Sequence, residues 1–108
     1  MSWQIDPKVL GDLVQSFLRR RHPAKTALSV VAATDGRLKD HQVQRWLEGA
    51  SAPSGAALMT LISAYGPEFL AAVFPHAPEW VSAASRTAQI ARLENEIQEL
   101  QAKRAAAL

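Results

Sequence analysis

The stretch from Ala27 to Gly66, ALSVVAATDGRLKDHQVQRWLEGASAPSGAALMTLISAYG, decides the fold. It reads as three short helices joined by tight turns, with a glycine at each joint. The first spans roughly Lys25 to Thr34, is expected to bury Leu28, Val31 and Ala32, and is closed by Asp35-Gly36. The second begins near Lys39 or Asp40 and turns Val43, Trp46 and Leu47 inward, an i, i+3, i+4 stripe. Gly49 ends it. The third opens after Pro53 and carries Leu58, Leu61, Ile62 and Tyr65 on one face as far as Gly66. No segment alternates with period two for long enough to form a strand, so the expected class is all-α.

Working outward, Asp6-Pro7 is a helix start: a side-chain acceptor at the N-cap, then proline at the first helical position. Val9, Leu10, Leu13, Val14, Phe17 and Leu18 follow on one face. Arg19, Arg20 and Arg21 then occupy the last turn, where cations complement the helix dipole. His22-Pro23 ends this helix, because proline disfavours the helical region for the residue before it. Downstream, Pro67-Glu68 starts a short fifth helix with Phe69, Leu70, Val73 and Phe74 inward. Pro75-His76-Ala77-Pro78 breaks the pattern, and Glu79-Trp80-Val81 offers apolar side chains to pack back on the domain. From Ser82 the chain is helix-forming to its end, and Ile90, Leu93, Ile97 and Leu100 recur at intervals of 3, 4 and 3, the spacing of an a/d seam. The expected organisation is a five-helix domain over 1–74, a linker over 75–81 and a coiled-coil-type helix over 82–108.

Composition narrows the function. A chain of 108 residues suffices for one domain and an appendage, and its 48% hydrophobic content fills only a small core. It has no cysteine, which excludes a disulfide framework and any thiolate metal site. The N-terminal residues lack the pattern of a signal peptide, and no apolar run approaches the roughly 20 residues that cross a bilayer. The expectation is a soluble, cytoplasmic protein. His22, His41 and His76 are scattered without carboxylate company at ligand spacing, so neither a metal nor a cofactor is expected. No phosphate-cradling glycine loop is present, and Ser51 lacks the second glycine of a nucleophile elbow. An enzyme is not expected.

The net charge is only +2, but it is unevenly placed. From Arg19 to Arg45 there are seven cations against two anions, whereas Trp46 to Trp80 holds three glutamates and no lysine or arginine. Such polarity is what a surface for an anionic partner produces, although a solvated basic face reads the same way.

With these residues in view, the chain from Ala27 to Tyr65 resembles the lambda-repressor-like (XRE-type) helix-turn-helix domains of phage and bacterial regulators. Gly49, Pro53-Ser54, Leu58, Leu61 and Gly66 fall where that family has its glycine, Pro-Ser and leucines after the recognition helix. Ala32 and Gly36 match the small residue of its second helix and the glycine of its turn. The interval from Gly36 to Val43 is one residue longer than the usual spacing, which puts the turn or the register of the third helix in question. With the first helix included, the resemblance covers about two-thirds of the chain.

The resemblance implies double-stranded DNA as partner, with the helix near 40–48 entering the major groove. If Val43, Trp46 and Leu47 face inward, the opposite side carries His41, Gln44 and Arg45, flanked by Lys39, Asp40 and Gln42. Gln can bridge adenine N6 and N7, and Arg can fork onto guanine O6 and N7, so His41, Gln42, Gln44 and Arg45 form the base-reading set. An ordinary polar helix face has the same composition. Asp40 reads as an N-cap before it reads as a cytosine contact. Phosphate contacts fall to Lys25 and Thr26 at the start of the second helix, to Arg37 and Lys39 in the turn, and to Ser51 or Ser54 before the fourth.

A single such module covers little DNA, and dimers of the fold read two half-sites of a pseudo-palindrome. The seam Ile90, Leu93, Ile97, Leu100 supplies a homodimer, and isoleucine at a with leucine at d favours a parallel two-stranded coil. A helix folded back in cis is the alternative. The leading expectation is a sequence-specific, dimeric transcriptional regulator. It would repress by occluding a promoter, or activate through RNA polymerase or another regulator touching an acidic surface such as Glu48 or Glu68. A helical adaptor docking a partner through its last helix is the competing class, and a non-specific nucleoid or phage packaging protein a third.

Overall fold

A computed structural model describes residues 6–74 and 76–107 of the chain. Residues 1–5 of the expected domain, Pro75 of the expected linker and the final residue of the expected helix lie outside the described residues. The described residues form six helices and no strand: α1 (Pro7–Arg21), α2 (Thr26–Ala33), α3 (Asp40–Leu47), α4 (Gly55–Tyr65), α5 (Pro67–Val73) and α6 (Glu79–Ala107). None of them is long and apolar enough to cross a membrane.

α1 begins as its sequence requires. The Asp6 carboxylate accepts from the Lys8 N–H at 2.9 Å, and Pro7 stands at the first helical position. Val14, Phe17 and Leu18 are buried. Val9, expected on the same face, is 48% exposed, and the residues of α1 that pack on the core begin with its neighbour Leu10.

α2 departs most from expectation. Its buried residues are Thr26, Ala27 and Val30, while Leu28 is 60% exposed and Ala32 lies outside. The segment TALSVVAA has almost no polar face, so nothing local specifies which side turns inward, and packing against α1 and α3 decides. Lys25 precedes it in the left-handed region at φ 52°, and the Thr26 hydroxyl donates to the His22 carbonyl at 2.6 Å.

Six residues join α2 to α3. Asp35 and Gly36 are both left-handed, at φ 52° and 75°, which reverses the chain; asparagine, aspartate and glycine tolerate this conformation best. The buried Thr34 hydroxyl donates to the Val30 carbonyl at 2.9 Å and accepts from the Leu38 N–H at 3.4 Å. The connection is long enough to turn Leu38 into the core, where it is 3% exposed. α3 then buries Val43 and Trp46, with Leu47 partly covered.

The Ser54 hydroxyl caps α4 by accepting from the Ala57 N–H at 3.2 Å. Gly66, at φ 70°, serves both as the end of α4 and as the start of α5. Phe69 and Val73 of α5 meet Phe17 of α1 in the core, and the rings of Phe17 and Phe69 pack edge to face with centroids 5.2 Å apart.

α6 starts at Glu79, three residues before the expected boundary, so the break is confined to the residues around Pro78. Val81 is 2% exposed against the domain, whereas Trp80 is 66% exposed and does not pack back. Its 29 residues span about 43 Å at 1.5 Å per residue, and every described residue after Arg92 is exposed.

Glu68 fixes this helix to the domain. Its carboxylate accepts from Arg21 of α1 at 2.7 Å and from Nε and a terminal nitrogen of Arg92 at 3.2 and 3.3 Å. At 13% exposure it is not the acidic contact surface expected for a partner, because two arginines already cover it; Glu48 stays exposed.

Candidate functional site

α3 has one buried and one free side. With Val43 and Trp46 inward, His41, Gln44 and Arg45 are exposed at i, i+3, i+4 spacing. They share one face because a helix places residues three and four apart side by side. Gln42 is half-buried at the edge of this face.

An open groove of about 540 Å³ runs along α3. His41, Gln42, Arg45 and Trp46 line one wall, and Ser51, Ala52 and Ser54 of the connection to α4 line the other. Five of the residues anticipated as DNA contacts therefore meet in one concavity: His41, Gln42, Arg45, Ser51 and Ser54. Gln44 stands on the same helix face just outside it.

The remaining anticipated residues are dispersed. Arg37 lies in a separate concavity against Thr60 and Ser63 of α4. Lys25 is exposed at the N-terminus of α2, where no side chain caps the helix. Thr26 is 9% exposed, and its hydroxyl donates to the His22 carbonyl. The Lys39 ammonium donates to the Gly36 carbonyl at 2.9 Å.

The start of α3 also differs from expectation. Lys39, in extended conformation, is the N-cap, and Asp40 is the first helical residue. Gln42 Oε1 accepts from the Lys39 N–H at 3.4 Å, half of a capping box; an ammonium cannot supply the other half. Asp40 accepts instead from the Gln44 side-chain amide, Nε2 to Oδ2, at 2.8 Å, and its Oδ1 is buried without a partner among the described residues. The carboxylate thus faces along the helix towards Gln44. One Nε2–H of Gln44 is held, which leaves the second N–H and Oε1 for a ligand.

Two α1 side chains fix the far end of α3. Gln15 Nε2 donates to the Leu47 carbonyl at 2.9 Å, and Arg19 donates to the same oxygen at 3.2 Å. The last carbonyls of a helix lack intrahelical partners, so these donors satisfy an orphan acceptor while locking α3 against α1. Neither contact is visible in sequence, since the partners lie 32 and 28 residues apart. The Asp40–Gln44 pair, by contrast, is an i, i+4 pair that spacing alone could have suggested.

Between the ends of α1 and α4, His22 Nε2 and Tyr65 Oη share a hydrogen bond of 2.8 Å. Burial lowers the His22 pKa below its ordinary 6.5, and the neighbouring Arg21 charge lowers it further. Burial raises the Tyr65 hydroxyl above 10, with Arg21 opposing. The Arg21 guanidinium lies over the Phe17 and Tyr65 rings, 5.1 and 5.4 Å from their centroids.

No family model, curated protein or solved structure matches the chain.

Proposed function

We propose that the protein is a sequence-specific DNA-binding transcriptional regulator of the lambda-repressor-like helix-turn-helix type, with α2 and α3 as the two helices of the motif and α3 as the reading helix. The observation that carries this reading is the exposed triad His41, Gln44 and Arg45 on a helix anchored by Val43 and Trp46. Arg45 has the donor fork that recognises guanine. Gln44, steadied by Asp40, keeps one donor and one acceptor for adenine. The uncapped N-terminus of α2 beside Lys25, together with Ser54, gives further support as sites for phosphates. Two copies joined through α6 would read two half-sites.

The test is fluorescence anisotropy of the full chain on the DNA upstream of its own gene and on scrambled DNA, at two salt concentrations. Specific binding that survives the higher salt is expected, and Arg45→Ala should lose about 5- to 150-fold on the native fragment, the roughly 1–3 kcal/mol of one bidentate base contact. Equal, weak binding to both DNAs that vanishes with salt would leave only phosphate electrostatics and overturn the reading. The exposed seam on α6 favours a second class, an adaptor docking a partner helix. Reversing the charges of Arg45 and Lys39 separates the two, because partner binding through α6 would survive it.

A further inference from the structure

We infer that α6 pairs with α6 of a second copy of this chain as a parallel, in-register coiled coil, and that Glu94 and Glu96 select that orientation. This deepens the dimer reading above and does not depend on whether α3 reads DNA.

α6 carries two separate faces. Val81, Ser85, Ala88 and Arg92 lie along the side turned to the domain: Val81 is buried, the others are partly covered, and Arg92 holds Glu68. Ile90, Leu93, Ile97 and Leu100 lie roughly 120° around the helix from that stripe, at 3.6 residues per turn. They are 57, 45, 54 and 64% exposed. Docking on the domain therefore leaves the whole seam open along a straight helix, and none of the described residues folds over it.

The flanking residues choose the occupant and its direction. With isoleucine at a and leucine at d, the e positions are Thr87, Glu94 and Gln101, and the g positions are Gln89, Glu96 and Lys103. In a parallel pair each g residue meets the e residue five positions on in the partner. Gln89 then faces Glu94, and Glu96 faces Gln101, so every carboxylate meets an amide that can donate to it. An antiparallel pair keeps all four apolar layers in only one register, with Ile90 against Leu100 and Leu93 against Ile97. That register sets Glu96 against Glu96 and Glu94 against Glu94 at the centre of the coil. The Arg86 and Arg104 layers oppose like charges in both arrangements and do not discriminate. Self-pairing in parallel thus satisfies both the apolar layers and their flanks. It also places both domains at one end of the coil, related by a two-fold axis along it, so the DNA reading would require an inverted rather than a direct repeat.

The chain contains no cysteine, which permits single-cysteine crosslinking of the intact protein. Leu100→Cys, oxidised after purification, is expected to run mostly as a disulfide dimer, since the two residues share a layer. Ala102→Cys, on the outer face, should remain monomeric on the same gel. In the antiparallel register the two 100 positions lie about 15 Å apart, beyond disulfide reach. An equimolar mixture of Ile90→Cys and Leu100→Cys chains that crosslinks, while Leu100→Cys alone does not, would overturn the orientation. Sedimentation equilibrium of the unmodified chain completes the test: a monomer at every concentration would overturn the pairing, and the Arg45→Ala measurement on DNA would be unaffected.

Discussion

Replacing Glu68 by glutamine should loosen α6 from the domain, and the structure sets the size of the effect. The carboxylate accepts three hydrogen bonds from two guanidinium groups and is 13% exposed, with Arg21 at 19% and Arg92 at 35%. Glutamine keeps the shape and one acceptor, but loses the charge and turns an amide N–H₂ towards an arginine. Hydrogen bonds to charged groups contribute about 1.5–3 kcal/mol each, and breaking a buried pair costs 3–5 kcal/mol. Both figures are reduced here, because Arg92 reaches solvent and a surface pair contributes under about 1 kcal/mol. Desolvation of the carboxylate is also relieved. The expected loss is about 2 kcal/mol, or roughly 8–16 °C in Tm for a domain near this size. Urea and thermal unfolding at one fixed protein concentration would measure it, since dimerisation couples stability to concentration. Hydrogen exchange should accelerate selectively in residues 81–92. A double-mutant cycle with Arg92→Gln isolates the α5–α6 contact. A loss under about 0.5 kcal/mol, or no coupling between the two positions, would refute the claim that this cluster docks α6.

Three further perturbations test the packing. Val30→Ala, at a fully buried site, should cost about 2 kcal/mol, whereas Leu28→Ala should cost under about 0.5; the reverse order in chemical denaturation would restore the register expected for α2 from sequence. Thr34→Val keeps the volume but removes the acceptor of the Leu38 N–H, and should lose about 1–2 kcal/mol by the same assay. His22 has a folded pKa below 6.5, so the unfolded chain binds its proton first. Stability should be fully present above pH 6.5 and fall as the pH drops towards the folded pKa, and His22→Gln should flatten that part of the pH–stability curve.

Much of the fold was legible because local signals and burial agree. Asp6-Pro7, Gly66-Pro67 and the Val43, Trp46 stripe each name a cap, a stop or an inner face. The inner face of α2 is not legible, because its sequence is almost entirely apolar and its orientation is a property of its neighbours. Leu38 is hidden from a periodicity reading for a related reason: it sits in a connection rather than on a periodic face, and only the reversal at Asp35 and Gly36 turns it inward. The outward face of α3 followed from its inner face by geometry. The dispersal of Arg37 and the internal bond of Thr26 did not, since charge and hydroxyl content do not say where a side chain reaches.

The arginine triplet shows how far such ambiguity extends. In sequence, Arg19, Arg20 and Arg21 are equally a basic patch or partners of a helix dipole. In the fold, Arg19 reaches one way to the Leu47 carbonyl at the end of α3, and Arg21 the other way to Glu68, which also receives Arg92 of α6. Arg92 in turn donates to Glu96, a residue flanking the α6 seam, at 3.2 Å. A series of polar contacts therefore runs from the end of α3, through α1 and α5, to the middle of the seam. Only rigid helices lie between those contacts. If α3 meets a half-site and α6 meets its twin, the angle between them is held by this series. A change at Glu68 would then alter the spacing of the two reading helices without touching any residue of either surface.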